Sequence, residues 1–261
     1  MRLLCIALLT WLFAANTQAQ SYQFQQESLP CLNKKFTVVA HIFKDSLGSY
    51  GVTEAAIEQA LADVNPFFAP ICVSFEICEF RYHDNWQHDV LEDSDTEIPQ
   101  VKTQYHADRR INFYFVTYFS SDIGACGIAD LAGIGSPNGS GIIYRKDCVN
   151  ARVFAHELGH FFGLEHTFEG SGIELVDGSN CTTAGDRICD TPADPYVPGE
   201  DLDTYVSNCV FTSTKTDVNG EFYNPDLGNI MSYYECNTCG FTWGQLDKMA
   251  QTYLSTGIKF W

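Results

Sequence analysis

Basic residues are scarce in this chain: 15 Lys and Arg stand against 33 Asp and Glu among 261 residues, for a formal charge of −18 at pH 7. Such a surface repels phosphate backbones and anionic lipid headgroups, and no run of Lys or Arg offers a local exception, so nucleic-acid binding is not expected. Long apolar runs are missing as well. The one stretch that comes near, Leu3 to Ala15, is too short to cross a bilayer. With Arg2 before it and the small Ala19 closing Thr17-Gln18-Ala19, it reads as a secretory signal peptide cleaved after Ala19. Residues 1–19 are thus expected to be a leader and the protein to be exported, extracellular or periplasmic. The mature charge becomes −19, because the leader removes Arg2 and no acid. Internal repeats and low-complexity linkers are absent. The only C-x-x-C, Cys236 to Cys239, lacks the second pair that a zinc finger needs.

What is present suits a folded, exported domain. Apolar residues make up 45 % and aromatics 14 %, enough to bury a core. Eleven cysteines become ten once Cys5 leaves with the leader, and an even number in an oxidising compartment reads as disulfides.

Alternating and β-branched residues predict strands at Phe36–Phe43, Val73–Phe80 and Ile111–Phe119. Thr53 caps a helix from Glu54 to Phe67, with Ala56, Ile57, Ala60, Leu61 and Val64 on one stripe. His83 to Arg110 is polar and acidic and is expected to be a surface excursion. Two short strands are expected near Gly127–Leu131 and Gly141–Tyr144. A helix then starts at Asn150 and ends at Gly163, and the chain beyond Thr167 is loop-rich until a last helix from Thr242 to Leu254. Strand, helix, strand, strand is the grammar of an α/β (α+β) domain, a mixed sheet covered by helices.

Chemistry concentrates in His156-Glu157-Leu158-Gly159-His160-Phe161-Phe162-Gly163-Leu164-Glu165-His166, which holds three of the seven histidines. On a helix His156 and His160 share a face and can direct their imidazoles at one ion. Gly163 lets the chain break away with positive φ, so that His166 can swing back as third ligand. The fourth position of a tetrahedral zinc stays open for water, whose pKa the metal lowers, and Glu157 is placed as general base and then acid. The reaction is hydrolysis of a polarised carbonyl, a peptide bond for an exported enzyme. His41, His83, His88 and His106 have no partner at ligand spacing and are expected to be surface or packing residues.

H-E-x-x-H-x-x-G-x-x-H followed by a methionine turn resembles the metzincin signature, with Asn229-Ile230-Met231-Ser232-Tyr233 lying 65 residues past His166. Within that clan HELGHFFGLEHTF (156–168), GDRICDTPADP (185–195), NIMSYYEC (229–236) and FTWGQLDKM (241–249) resemble the pappalysin family in its cytophagalysin or ulilysin-like branch. The resemblance is strong over about 150–250 and looser over 34–150. It implies a two-lobed metalloprotease catalytic domain over 34–261, preceded by a short segment at 20–33. An upper lobe of about 34–163 would carry the active-site helix above a loop-rich, disulfide-pinned lower lobe of about 164–261.

Residue by residue, the resemblance implies that Met231 forms an apolar floor under the zinc, and that Tyr233 hydrogen-bonds the tetrahedral intermediate. It implies calcium in the lower lobe, with Asp186, Asp190 and Thr191 as candidate ligands, and an acid at the base of the specificity pocket, for which Glu235 is in the right neighbourhood. Gly127–Leu131 would bind the substrate backbone as an added strand. Cys181 would pair with Cys209, and Cys189 with Cys239 or Cys236; Cys126 with Cys148 is expected to clamp the segment above the helix. The family's long propeptide has no counterpart in the roughly fifteen residues between Ala19 and the first strand. Cys31 is then either a latency cysteine or a disulfide partner, and the even count favours the latter. The expected protein is a monomeric, secreted zinc metalloendopeptidase acting on proteins or peptides, with calcium as a second cation. The alternative is a catalytically silent, zinc-stabilised binding or adhesion module, against which the intact Glu157 argues.

Overall fold

The computed structural model describes residues 28–257 apart from 122, 123, 137 and 235; the expected leader and Glu235 lie outside the described residues. The chain begins with β1 (Lys34–Phe43), α1 (Glu54–Phe68) and β2 (Val73–His83). Helix α1 starts where the sequence places its cap, with the Thr53 hydroxyl accepting from the Ala56 amide. Its stripe of Ile57, Ala60, Leu61 and Val64 is buried. Next come β3 (Val90–Leu91), α2 (Ser94–Tyr105), β4 (Ile111–Val116), β5 (Tyr118–Phe119), β6 (Gly127–Ala129) and β7 (Ile142–Arg145). Helix α3 (Ala151–Phe161), a small hairpin of β8 (Val206–Ser207) and β9 (Val210–Phe211), and α4 (Trp243–Ser255) complete the order.

Five strands form one mixed sheet in the order β2-β1-β4-β7-β6. The pairs β1–β2, β1–β4 and β4–β7 are parallel, whereas β6 runs antiparallel to β7 and forms an edge of the sheet. Alternation along β4 divides the interior. Phe113 and Phe115 pack with α1 and α3 on one face, while Tyr114 and Val116 pack with Ile98 and Val101 of α2 on the other. This is the α/β arrangement expected, a mixed sheet backed by helices beside a loop-rich remainder.

Two expectations change. The excursion between β2 and β4 is no mere surface loop, because it contains α2, whose Ile98 and Val101 close the second face of the sheet. It docks through a buried ion pair, with the Lys146 ammonium donating to Asp89 and to the Phe43 carbonyl at 2.5 Å each. The predicted strand Ile111–Phe119 is split at Thr117, whose amide donates to Asp89 of the same excursion.

Among the described residues four disulfides are formed, Cys31–Cys72, Cys126–Cys148, Cys181–Cys189 and Cys209–Cys236. The expected Cys181–Cys209 bond and the bond of Cys189 with Cys239 or Cys236 are replaced. Tight turns from Asn180 to Arg187 fold that loop back on itself, bringing Cys181 and Cys189 to 5.0 Å between Cα atoms. The β8–β9 hairpin meanwhile presents Cys209 to Cys236. Cys239 sits with its sulfur against Gly228 and, like Cys78, is an exposed free thiol.

Candidate active site

Helix α3 begins with the Asn150 side chain accepting from the Val153 amide at 3.0 Å. Its Phe154, Leu158 and Phe161 enter the main core, which turns His156, Glu157 and His160 toward a cleft of about 1240 Å³. The helix ends at Phe161, and Gly163, at φ +93°, redirects the chain. A side chain at φ near +90° would be strained, so glycine makes the sharp exit that returns His166.

The three histidines meet at their Nε2 atoms, 3.1 Å apart for His156 and His160, 3.0 Å for His160 and His166 and 3.2 Å for His156 and His166. His156 Nδ1–H donates to the Ile230 carbonyl and His160 Nδ1–H to the Leu164 carbonyl, both at 2.7 Å. Their Nε2 atoms are thereby left as lone-pair acceptors facing each other. Burial holds His156 down to about 3, His160 to about 4 and His166 lower still, so all three are neutral, the form that ligates a metal. Nitrogen ligands at 2.0–2.1 Å from a tetrahedral ion would be about 3.3 Å apart. Converging lone pairs at nearly that spacing fit a zinc ion, and among the described residues this is the one cluster of three such donors recognised.

Glu157 is buried against the strand above it. A side chain on Gly127 would come within 2.7 Å of the Glu157 carboxyl group, so the close approach of β6 requires glycine there. Burial pushes the Glu157 carboxyl up to about 8, against the Ala129 amide and the charge of Lys102. A cation at the three histidines would pull it back down. Tyr233 lies beside the ligands, its ring 4.8 Å from that of His166 and 5.8 Å from that of His156. Burial and then Glu157 push its hydroxyl up to about 12, so it is a proton donor at neutral pH. Met231 is fully buried under the helix, in the space that the missing side chain of Gly159 leaves.

Among the calcium candidates, Asp186 and Thr191 are buried; the Thr191 side chain faces the Asp186 carboxylate, and no hydrogen bond of ordinary geometry reaches Asp186 Oδ2 or Thr191 Oγ1. Asp190 is differently employed: its carboxylate accepts from the Thr242 hydroxyl and the Gly244 amide, each at 2.8 Å, and so caps α4. Glu174 stands near Asp186, with Oε2 buried and without a hydrogen bond, and burial followed by Asp186 raises it to about 7. Burial raises Asp186 to about 7 as well. Sequence reasoning missed Glu174 because it stands twelve residues before Asp186, in a segment without a motif.

It also missed Arg152. From α3 the guanidinium donates to the carbonyls of Asn229, Ser232 and Tyr234 at 3.3, 3.2 and 2.8 Å, and thus fixes the loop that carries Met231 and Tyr233. Its signal was only a lone basic residue four positions before His156. The other histidines stand apart from the cleft. His41 Nδ1 meets His83 Nε2, and His41 Nε2 meets Asn112 Oδ1, at 3.0 Å each, with His106 also on Asn112 and His88 on Tyr105.

Residues 132–253 match the family model of pregnancy-associated plasma protein-A, a peptidase family designated M43. Residues 54–167 match the reprolysin-like model of metallopeptidase family M12B. An extracellular metalloprotease of Colletotrichum graminicola is 29 % identical over 160 residues, covering 54 % of this chain and 51 % of that protein. One from Podospora anserina is 28 % identical over 163 residues, covering 56 % and 50 %. The chain thus spans about half the length of these relatives. Mature mirolysin of Tannerella forsythia, solved with a cleaved peptide, shares the fold at a TM-score of 0.53 and 18 % identity, over 82 % of this chain and 89 % of that one. The two family models overlap on the histidine-bearing helix, and the chain shares the fold of mirolysin along most of both chains.

Proposed function

We propose that the protein is a secreted zinc-dependent metalloendopeptidase that hydrolyses internal peptide bonds, with its catalytic domain over 34–261. The observation that carries this reading is the buried Glu157 carboxyl group placed next to three converging imidazole nitrogens in one cleft. Zinc held by His156, His160 and His166 would supply Lewis acidity and a water more acidic than bulk. Glu157 takes the proton of the attacking water and returns it to the leaving amine. Tyr233 donates its hydroxyl hydrogen to the oxygen that gains charge. The free edge of β6 offers backbone groups with which a substrate strand can pair. Glu169 and Asp201 line the cleft, with Glu165 and Glu200 paired to Arg187 and Lys215 at its border, which together with the acidic chain favours basic peptides.

Export is supported by the apolar run at 3–15 and by relatives named as extracellular; no helix among the described residues is long and apolar enough to cross a membrane. Calcium in the lower lobe is supported by the three orphaned oxygens of Glu174, Asp186 and Thr191, since a hard cation satisfies oxygens that no hydrogen bond reaches. The test is mass spectrometry of a peptide library digested by residues 20–261, with and without a zinc chelator. We expect chelator-sensitive cuts at internal bonds, enriched in Arg or Lys next to the cut. A folded, zinc-loaded protein that cuts nothing is a binding module instead.

A further inference from the structure

From the second face of the sheet, Lys102 reaches the residue that follows the cleft-lining strand β6. Lys102 stands on α2, whose neighbouring Val101 and Ile98 pack on the face of the sheet away from α3. Its own side chain is only 4 % exposed, although it is a lysine in a helix with a strongly polar sequence. A buried ammonium requires a partner, and Lys102 Nζ finds it at Asp130 Oδ1, 2.8 Å away. Asp130 is the residue immediately after β6. Its other oxygen, Oδ2, accepts the Gly141 amide at 2.8 Å, just before β7. One carboxylate thereby ties α2 to both strands of the antiparallel pair at the cleft.

That pair bears directly on Glu157. Gly127 lies against the Glu157 carboxyl group, and the Ala129 amide donates to it. Just past the ion pair, the Ala132 amide donates to the His160 carbonyl at 2.9 Å, and the Gly133 amide to the Asp130 carbonyl at 2.9 Å. The segment 127–133 therefore spans the catalytic helix and is fixed at its middle by Asp130. Lys102 is close enough that its charge acts on Glu157 as well as on Asp130. Nothing in the zinc motif calls for a lysine on the opposite face of the sheet.

We propose that Lys102 is a positioning residue: through Asp130 it holds the edge strand β6 at the height where that strand both orients Glu157 and receives the substrate backbone. This rests on the metallopeptidase reading of the site. Without the ammonium, Asp130 loses its counter-charge, β6 is released from α2, and the base and the substrate are misplaced together. A misplacement of about 1 Å costs on the order of 100-fold in rate.

The experiment compares wild type with Lys102→Met, Lys102→Arg, Asp130→Asn and the double variant Lys102→Met/Asp130→Asn, at matched zinc content. For Lys102→Met we expect kcat/KM on a peptide that spans the cleft to fall about 10- to 100-fold, with KM rising as well as kcat falling, because β6 serves binding and chemistry alike. Lys102→Arg should recover most of the loss. The double variant should be little worse than either single one, since the two side chains act as one unit. Amide exchange over 127–133 should quicken about tenfold in Lys102→Met while α1 is unchanged; this readout needs no activity, and so it separates failure of the anchor from failure of the protease reading. An unchanged kcat/KM in Lys102→Met, additive losses in the double variant, or unchanged exchange at β6 would each overturn the proposal.

Discussion

The two halves of the molecule keep their shape by different means. Residues 34–163 rest on a five-stranded ladder and on a core that meets helices on both sheet faces. Between residue 164 and α4, regular structure shrinks among the described residues to one two-stranded hairpin and a short 3-10 turn. There carboxylates take over the role of the ladder. Asp194 accepts from the Thr167 and Tyr234 hydroxyls and the Tyr196 amide, and Asp217 from the amides of Val176, Asn219 and Glu221. Two disulfides and a cluster of Phe168, Tyr196, Tyr205 and Tyr234 complete it. The first half can therefore place side chains rigidly, whereas the second depends on disulfides that a reductant can remove.

The largest expected effect tests whether chemistry belongs to the ladder-built half. Glu157→Gln should lower kcat by about 1,000-fold or more while binding one zinc, measured by metal analysis and single-turnover cleavage; loss of the metal would contradict the assigned role. Tyr233→Phe, in the other half, should lower kcat by about 100-fold with KM little changed.

A middle-sized effect would separate the halves by stability. Replacing Cys209 and Cys236 together by serine should cost about 2–4 kcal/mol in urea unfolding. Calcium chelation should lower the melting temperature further, with amide exchange rising between 164 and 240 and not in β1 or β4. Equal loosening of both halves would erase the distinction.

The last effect belongs to the sheet and is absent at neutral pH. Burial holds His41 down to about 3 and His83 to about 4, against about 6.5 in an unfolded chain. The folded state then binds fewer protons than the unfolded one. The stability these rings contribute is present above pH 6.5 and is lost as the pH falls below it toward 4 and 3. NMR titration should find both imidazoles neutral at pH 5; a ring protonating near 6.5 would contradict this.

Legibility in the sequence followed locality. The cap at Thr53, the stripe of α1 and the i, i+4 histidines are all local periodicities, and the structure shows them within a residue or two. Helix α2 was illegible because Pro99 and its acidic first turn resemble loop chemistry, while the residues that make it a helix of the core are two apolar side chains and a lysine whose partner lies 28 positions on. Cys126–Cys148 formed as expected and Cys31 is a disulfide partner, but the pairings expected for Cys181 and Cys189 failed for a related reason: cysteines reveal a count, and which pair approaches depends on turns such as 180–187. For Asp190, only the start of α4, more than fifty residues later, shows that its carboxylate accepts from Thr242 and Gly244.

The joint between α3 and the methionine turn also sets an order in time. All three histidines have been made by residue 166, yet His156 is oriented by the Ile230 carbonyl, and the Arg152 guanidinium has no loop to grip until residues 229–234 exist. At ordinary translation speeds that interval lasts on the order of 10 s. A nascent chain of this protein therefore carries the three histidines before it carries the loop that orients them, and the cluster is complete only once residues 229–234 have been made.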